Sequence, residues 1–553
     1  LRERWKTSSR LSRRRTRSAS LPARRPKQTD SMKSNRAGKD YIRKAIVAVG
    51  SGILLALAFP KFELFYLVFV ALVPLFLVLR GERGLRAFGL GFITGFLYYL
   101  ISLFWISNAM RNYSNLGFVP SVLVVLLLVC FLAALVGVFA NMVSLCRLGG
   151  TSIILVPMFW VAMELVKAKV ISGFPWNDLY WALYRQTRLI QIADILGGDG
   201  ISFGIVLVNW LAFLLLAKLL RGPVKLGYFR LVAGLCLVFA VAWAYGGIRL
   251  AFLRPATRTI KMAIIQPNIP QAMKLSGHFR GQILKVYEQQ AAEPQLKGIK
   301  VAVLPEAAMG DTYNTSPTSQ AWVERTFSER GCTALFGSLA RDDGRYMNSA
   351  FVVEPSGRTS RYDKVHLVPF GEYVPYPSLL SFVEALAGYE GSLTEGHALH
   401  VLPLRDIKVG VPICYEIIFP EVSREFANAG ADLICTLSND AWFGRTSGPY
   451  QHFAAAVFRA IENRVPVLRC ANSGISGLVD ATGTIRLRTP IFVRRSDVVD
   501  VPIGKQSSVF RKIGKLFAYL CFAGSIAVGI RSSYGVKLAS RRYLGPRVFD
   551  PEV

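Results

Sequence analysis

Three residue types that together can perform acyl transfer, Glu306, Lys364 and Cys414, occur about fifty to sixty residues apart in the chain. Cys414 ends the apolar, β-branched run Val409-Gly410-Val411-Pro412-Ile413, which reads as a buried strand, and Tyr415 and Glu416 follow it before a second apolar run. Glu306 likewise follows an apolar run, Val301 to Pro305, and Lys364 stands in Tyr362-Asp363-Lys364-Val365-His366-Leu367. A thiol is the best ordinary side-chain nucleophile. Its reference pKa of about 8.5 leaves only a few per cent as thiolate at neutral pH, so it needs a base and a cation beside it. A carboxylate supplies the first and a lysine the second. Taken singly, each residue also has a plain reading: a solvated strand-end acid, a surface lysine, a small buried cysteine.

The elements that must position these groups belong to a chain of 553 residues, more than one core normally organises. With 52% hydrophobic residues, a mean hydropathy of +0.36 and apolar runs long enough to cross a bilayer, the composition is that of an integral membrane protein. The formal net charge of +31 first suggests nucleic acid. Much of the excess, however, lies in the first 44 residues and in short loops between apolar runs, where the positive-inside rule puts it, so no nucleic-acid partner is expected. Eight cysteines without a CxxC pair argue against a zinc module or a disulfide framework. Five histidines without an HExxH arrangement argue against a catalytic metal, and no cofactor is expected.

Residues 1–44, rich in Arg, Ser and Lys, read as a basic, disordered cytoplasmic tail. A membrane domain over 45–248 contains seven candidate spans, at about 45–59, 64–79, 88–107, 119–141, 152–168, 201–217 and 229–247. Basic loops around Arg80, Arg83 and Arg86, around Arg147, and around Lys218, Arg221 and Lys225 alternate with less basic ones, which puts the amino terminus inside. Residues 249–511 then lie on the outer face, and 512–553 hold an eighth span, about 515–531, and a cytoplasmic carboxyl-terminal tail. Glu164 and Lys167, one turn apart in the fifth span, are expected to pair with each other. The loop with Gly173-Phe174-Pro175-Trp176 and Tyr180-Trp181 reads either as an interfacial aromatic belt or as the lining of a lipid entry path. In the outer segment, short runs at 260–266, 301–305, 333–337, 350–353, 409–413, 433–437 and 465–469 alternate with helical stretches such as 281–292 and 451–463, which predicts a layered α/β domain.

Several blocks carry a resemblance. They are Ile265-Gln266-Pro267-Asn268, Leu304-Pro305-Glu306, Tyr362 to Pro375, Ile413 to Glu416, Leu437 to Gly444, and Gln451 through Asn463 to Gly474. On them the outer segment resembles the carbon-nitrogen hydrolase (nitrilase) superfamily. Over about residues 44–531 the chain resembles the apolipoprotein N-acyltransferase family. The resemblance implies an αββα sandwich beside about eight membrane helices. It implies Glu306 as general base, Lys364 as the cation for a tetrahedral oxyanion, and Cys414 as the nucleophile that carries an acyl thioester. Glu372 and Glu416 would be supporting acids and Tyr415 a pocket residue. Trp442 and Phe443 would stand at the pocket mouth, with Trp176 facing the same opening from the membrane domain. The donor would be a phospholipid, the acceptor the amine of a diacylglyceryl-modified cysteine of a lipoprotein, and the setting a bacterial inner membrane with the catalytic domain periplasmic and the chain a monomer. Lys167 departs from the Arg common in the family.

Physics narrows the substrate independently. Moving an acyl chain from bilayer to water costs about 0.8 kcal/mol per methylene, so an enzyme acting on phospholipid must sit at the lipid. A thioester awaiting an amine must also be kept from water, and the segment Leu379 to Tyr389 is a candidate lid. The alternatives are a membrane-tethered amidase acting on small amides, a non-catalytic membrane scaffold, and a nucleic-acid binder built on the basic tail.

Overall fold

The computed structural model describes residues 28–113, 117–146, 148–274, 276–374, 392–504 and 506–543; the candidate lid 379–389 lies outside them. The chain divides into two compact units, Leu1–Ile46 and Val47–Val553. Helix α1 (Gln28–Ala58) begins well before Lys44, so residues 28–44 are helical rather than disordered as expected. Pro22 and Pro26 end just ahead of a stretch free of proline, and Asp40 and Lys44 make an i,i+4 ion pair at 2.8 Å on the helix surface.

In the second unit α1 is followed by α2 (Val73–Val78), α3 (Leu85–Leu103), α4 (Trp105–Tyr113), α5 (Phe118–Ser144), α6 (Ser152–Lys169), α7 (Ala193–Leu219) and α8 (Tyr228–Ala251). Among the described residues, five helices are long and apolar enough to cross a membrane: Gly38–Ala58, Leu85–Leu103, Phe118–Ser144, Ala193–Leu219 and Tyr228–Ala251. The expected spans near 64–79 and 515–531 coincide with the shorter apolar stretches Phe65–Val78 and Leu516–Ile530, and the one near 152–168 with α6, which carries Glu164, Lys167 and Lys169. Helices α3 and α5 pack closely because Gly91 and Gly95, spaced four apart, leave no room for a side chain: a Cβ on Gly91 would fall 2.4 Å from Ala140 Cβ.

The described residues of the remainder form two six-stranded sheets. The first runs β12-β1-β2-β3-β4-β5 and the second β11-β10-β9-β8-β7-β6. Their strands are β1 (Arg258–Gln266), β2 (Val301–Val303), β3 (Thr333–Asp342), β4 (Arg345–Val353), β5 (Thr359–Asp363), β6 (Leu402–Leu404), β7 (Ile407–Gly410), β8 (Leu433–Ser438), β9 (Val467–Ala471), β10 (Gly477–Val479), β11 (Ile485–Arg488) and β12 (Arg495–Ile503). Parallel trios, β1-β2-β3 and β7-β8-β9, form the two centres, and antiparallel strands flank them. The sheets meet face to face: the Cys470 thiol on β9 donates to Ile265 O of β1 and Val303 O of β2.

After the short α9 (Gln271–Lys274), helices α10 (Arg280–Ala291) and α11 (Pro317–Thr326) cover the first sheet. There Ile283, Tyr287, Trp322 and Val323 pack with Ala302, Ala334 and Phe351 in one buried cluster. Helices α12 (Pro420–Asn428) and α13 (Gly448–Asn463) lie against the second sheet, close enough that a Cβ on Gly410 would strike Phe426. The layering is the expected αββα sandwich. Helices α14 (Val509–Ile513) and α15 (Leu516–Tyr543) lead away from it, and α15 packs on α6 through Val161, Leu165, Ala518 and Cys521.

Candidate active site

In a sheet with a parallel centre, the strand carboxyl ends point their following loops to one edge, where open α/β sheets bind ligands. Glu306 lies three residues past β2, Lys364 directly past β5, Cys414 four past β7 and Asp440 two past β8. All four are buried.

Cys414 opens the 3₁₀ turn Cys414–Ile418 with φ +52°, a left-handed conformation that costs a side-chain-bearing residue about 1–3 kcal/mol and persists where surroundings enforce it. Glu416 enforces it. Its buried carboxylate accepts from Ile413 N–H at 2.7 Å, Val365 N–H at 2.8 Å, Tyr362 Oη–H at 2.9 Å and His366 N–H at 3.0 Å. One side chain thereby ties the Cys414 turn to the segment bearing Lys364. Burial raises the Glu416 pKa to about 6, and the Ile413, His366 and Tyr362 donors with the Lys364 charge keep it from rising further.

Lys364 Nζ meets Glu372 Oε2 at 2.8 Å and Glu306 Oε1 at 3.8 Å. Burial alone would lower the ammonium's pKa, but Glu372, Glu306 and the Cys414 sulfur together hold it above the ordinary lysine value. Asn348 on β4 uses its amide to bridge the two carboxylates, donating to Glu306 Oε1 and to Glu372 Oε1 at 2.8 Å each. Glu306 Oε1 is thus anchored twice, while its buried Oε2 accepts no hydrogen bond among the described residues. That oxygen can take a proton. Gly337 on β3 lets Glu306 lie this close, since a Cβ there would stand 2.6 Å from Glu306 Cα. Lys274, buried on α9, donates to Glu306 O at 3.2 Å, and burial lowers its pKa to about 8.

Burial, reinforced by the Glu306 charge and opposed by Lys364, pushes the Cys414 thiol well above its ordinary pKa. The resting sulfur is a thiol. Behind it Ser438 Oγ lies 3.5 Å from Sγ and donates to Asp440 Oδ1 at 2.7 Å. Asp440 is paired with Arg469 at 2.6 Å and His452 Nδ1 at 3.0 Å; although burial opposes ionisation, these partners hold its pKa below the usual carboxylate range. His452 Nε2 contacts Cys414 O at 3.0 Å, so the histidine braces the turn that carries Cys414.

An aromatic wall adjoins the thiol. Tyr415 donates to Gly173 O at 3.2 Å and stacks on Trp176, ring centres 6.4 Å apart and 18° from parallel. Phe443 meets Trp105 edge-on at 4.5 Å and Trp176 at 6.1 Å. Trp442, half-buried, precedes it on the same 3₁₀ turn, Asp440–Phe443. The expected Glu164–Lys167 pair gives way to other partners. Lys167 Nζ is ion-paired with Asp178 at 2.7 Å and donates to Trp176 O at 2.9 Å, whereas Glu164 accepts from Trp160 Nε1 and Leu179 N–H. The chain beyond α6 folds back, and its own acid lies nearer the ammonium than the acid one turn away.

The structure therefore gathers Glu306, Lys364, Glu372, Cys414 and Glu416, with Tyr415, Trp176 and Phe443 alongside. Sequence reasoning missed Asn348, Ser438, Asp440, Arg469 and Trp105. Asn348 left one signal, a polar amide inside the strand Met347-Asn348-Ser349-Ala350-Phe351, where an unpartnered amide would be costly.

Residues 51–211 match the apolipoprotein N-acyltransferase N-terminal domain and residues 261–492 the carbon-nitrogen hydrolase family. An apolipoprotein N-acyltransferase of Geobacter metallireducens is 38% identical over 502 residues, covering 88% of this chain and 94% of its own. One from Allorhizobium ampelinum is 32% identical, covering 80% and 87%. Among solved structures, an amidase from Nesterenkonia sp. is 19% identical, covers 45% of this chain and 92% of its own, and superposes with a TM-score of 0.35. With its matched amino-terminal domain, its matched hydrolase domain and relatives alike over nearly their whole length, the chain belongs to the apolipoprotein N-acyltransferase family.

Proposed function

We infer that the protein moves a fatty acyl group from a phospholipid to the amino-terminal amine of a diacylglyceryl-modified cysteine in lipoproteins, through a thioester on Cys414. In the first step Glu306 takes the thiol proton and the sulfur attacks the ester carbonyl. Lys364 faces the developing oxyanion, and the lysophospholipid leaves with the proton. In the second step the amine attacks the thioester carbonyl, Glu306 takes the amine proton, and the carbon–sulfur bond breaks to restore the thiol. Glu372 and Glu416 hold Lys364 and the nucleophile turn. Trp176, Trp442 and Phe443 flank the acyl chain.

The observation that carries this reading is a thiol held under the opposed charges of Glu306 and Lys364, next in the chain to Tyr415, on which an indole from the membrane-associated part stacks. The relatives from Geobacter metallireducens and Allorhizobium ampelinum, both named as apolipoprotein N-acyltransferases, favour it over hydrolysis of small amides. On this reading 45–248 anchors the protein in the inner membrane, 249–511 works on the periplasmic face and 512–553 returns inside, with the protein acting as a monomer.

Incubation of purified protein with phospholipid should give, by intact mass, an acyl adduct on Cys414 that hydroxylamine removes and that Cys414→Ala never forms. Active protein without that adduct would rule the thioester out.

A further inference from the structure

Gln451, on the first turns of α13 and one residue before His452, is buried and uses every hydrogen-bonding site of its amide. Its Oε1 accepts from the indole N–H of Trp176 at 2.9 Å and of Trp105 at 3.0 Å. Its Nε2 donates to Ser102 O at 3.1 Å and Pro60 O at 3.2 Å. One catalytic-domain side chain thus holds four separate pieces of the membrane-associated part: the loop after α1, the end of α3, the start of α4 and the loop after α6. The two indoles it gathers lie with ring centres 5.2 Å apart. A second observation points the same way. A Cβ on Gly448, one turn before Gln451, would stand 2.9 Å from Phe443 Cβ and 3.1 Å from Trp105 Cδ2, so α13 is pressed directly under the wall.

Ring packing alone leaves the two indole N–H groups to be satisfied. Both N–H groups are buried, and an unpartnered buried donor is costly, so the shared acceptor decides where the rings lie. Because Trp176 stacks on Tyr415, which follows the nucleophile, the position of the Gln451 oxygen sets the wall that an acyl group on Cys414 would meet. We propose that Gln451 is a positioning residue that locks Trp105 and Trp176 into one rigid wall, and that this wall keeps water from the acyl-enzyme until the amine arrives. The inference rests on the thioester reading above. The acyl-enzyme has two fates. An amine nitrogen bonds to the carbonyl carbon and the carbon–sulfur bond breaks, leaving an amide and, once the amine proton is passed on, the thiol. Alternatively water does the same, leaving free fatty acid and the thiol. A loosened wall favours the second.

The test measures the ratio of free fatty acid to N-acylated product in full-length protein in phospholipid micelles, with a diacylglyceryl-cysteinyl peptide as acceptor. Gln451→Met keeps the length of the side chain and removes all four hydrogen bonds; it should raise the ratio roughly fivefold, the scale of one lost buried hydrogen bond, while the Cys414 adduct still forms. Trp105→Phe keeps a ring and removes one N–H. It should raise the ratio in the same direction, and the double variant should show less than the product of the two effects, because both break the same contact. An unchanged ratio in Gln451→Met, or full multiplicativity in the double variant, overturns the proposal. If Gln451→Met does not fold, an unchanged ratio in Trp105→Phe does so instead. Absence of an acyl adduct on the unaltered protein would defeat the thioester reading itself, whereas an adduct with an unmoved ratio defeats only the role of Gln451.

Discussion

At the scale of single residues, burial holds the Cys414 sulfur as a thiol beside the Glu306 carboxyl. The thiol is raised by burial and by Glu306, so the thiolate fraction climbs about tenfold per pH unit through and beyond the ordinary cysteine range. Iodoacetamide labelling of Cys414, followed by peptide mass, should therefore keep accelerating to pH 9 without a plateau. An exposed thiol would level off near its reference pKa of about 8.5. Lys364 has two tasks that separate experimentally. It pairs with Glu306 and Glu372 in the resting state, and in the mechanism we propose it faces the oxyanion during attack. Lys364→Met should slow adduct formation by roughly a hundred- to a thousandfold, the usual cost of one oxyanion donor, measured by single-turnover intact mass. It also leaves two carboxylates bridged by Asn348 alone, so the melting temperature should fall as well.

At the scale of elements, the base is set by the approach of β3. Gly337→Ala would put a methyl group 2.6 Å from Glu306 Cα, where only backbone can give way. Overpacking of this kind costs about 1–3 kcal/mol, and adduct formation should slow more than the melting temperature falls, because the displaced group is the base itself. The legibility of the chain follows the same geometry. Seven strands were visible as apolar runs, and they include both parallel centres, which are buried on two faces and read as continuous β-branched stretches. The missed strands were β5, β6, β11 and β12, the four sheet edges, together with β10. Edge strands read as polar or broken: Thr359-Ser360-Arg361-Tyr362-Asp363 carries alternating charge, and Leu402-Pro403-Leu404 contains a proline that only an edge accepts. The candidate site was legible where residues sit at strand ends with characteristic flanks, as with Glu306, Lys364 and Cys414. Asp440 and Arg469 were not, because what makes them matter is a pairing across 29 residues that no local pattern encodes. The Glu164–Lys167 expectation failed for the same reason, since a local rule lost to Asp178 folding back.

At the scale of the whole molecule, the part in the membrane and the sandwich meet through buried polar groups. Lys167 pins the loop that carries Trp176 by pairing with Asp178 and donating to Trp176 O. Lys167→Met should destabilise the protein by about 3–5 kcal/mol, since it strands a buried carboxylate, and Lys167→Arg should restore most of that in a detergent-solubilised thermal melt. Elsewhere along the junction Arg464 pairs with Asp194 of α7 at 2.6 Å, and Glu462, held by Arg459, accepts Gly198 N–H at 3.1 Å. An apolar seam would tolerate any greasy partner; matched ions do not. A chimera joining the span bundle of one relative to the hydrolase half of another should assemble only when both sides bring the same complement of charges, so the two halves are bound to be inherited together.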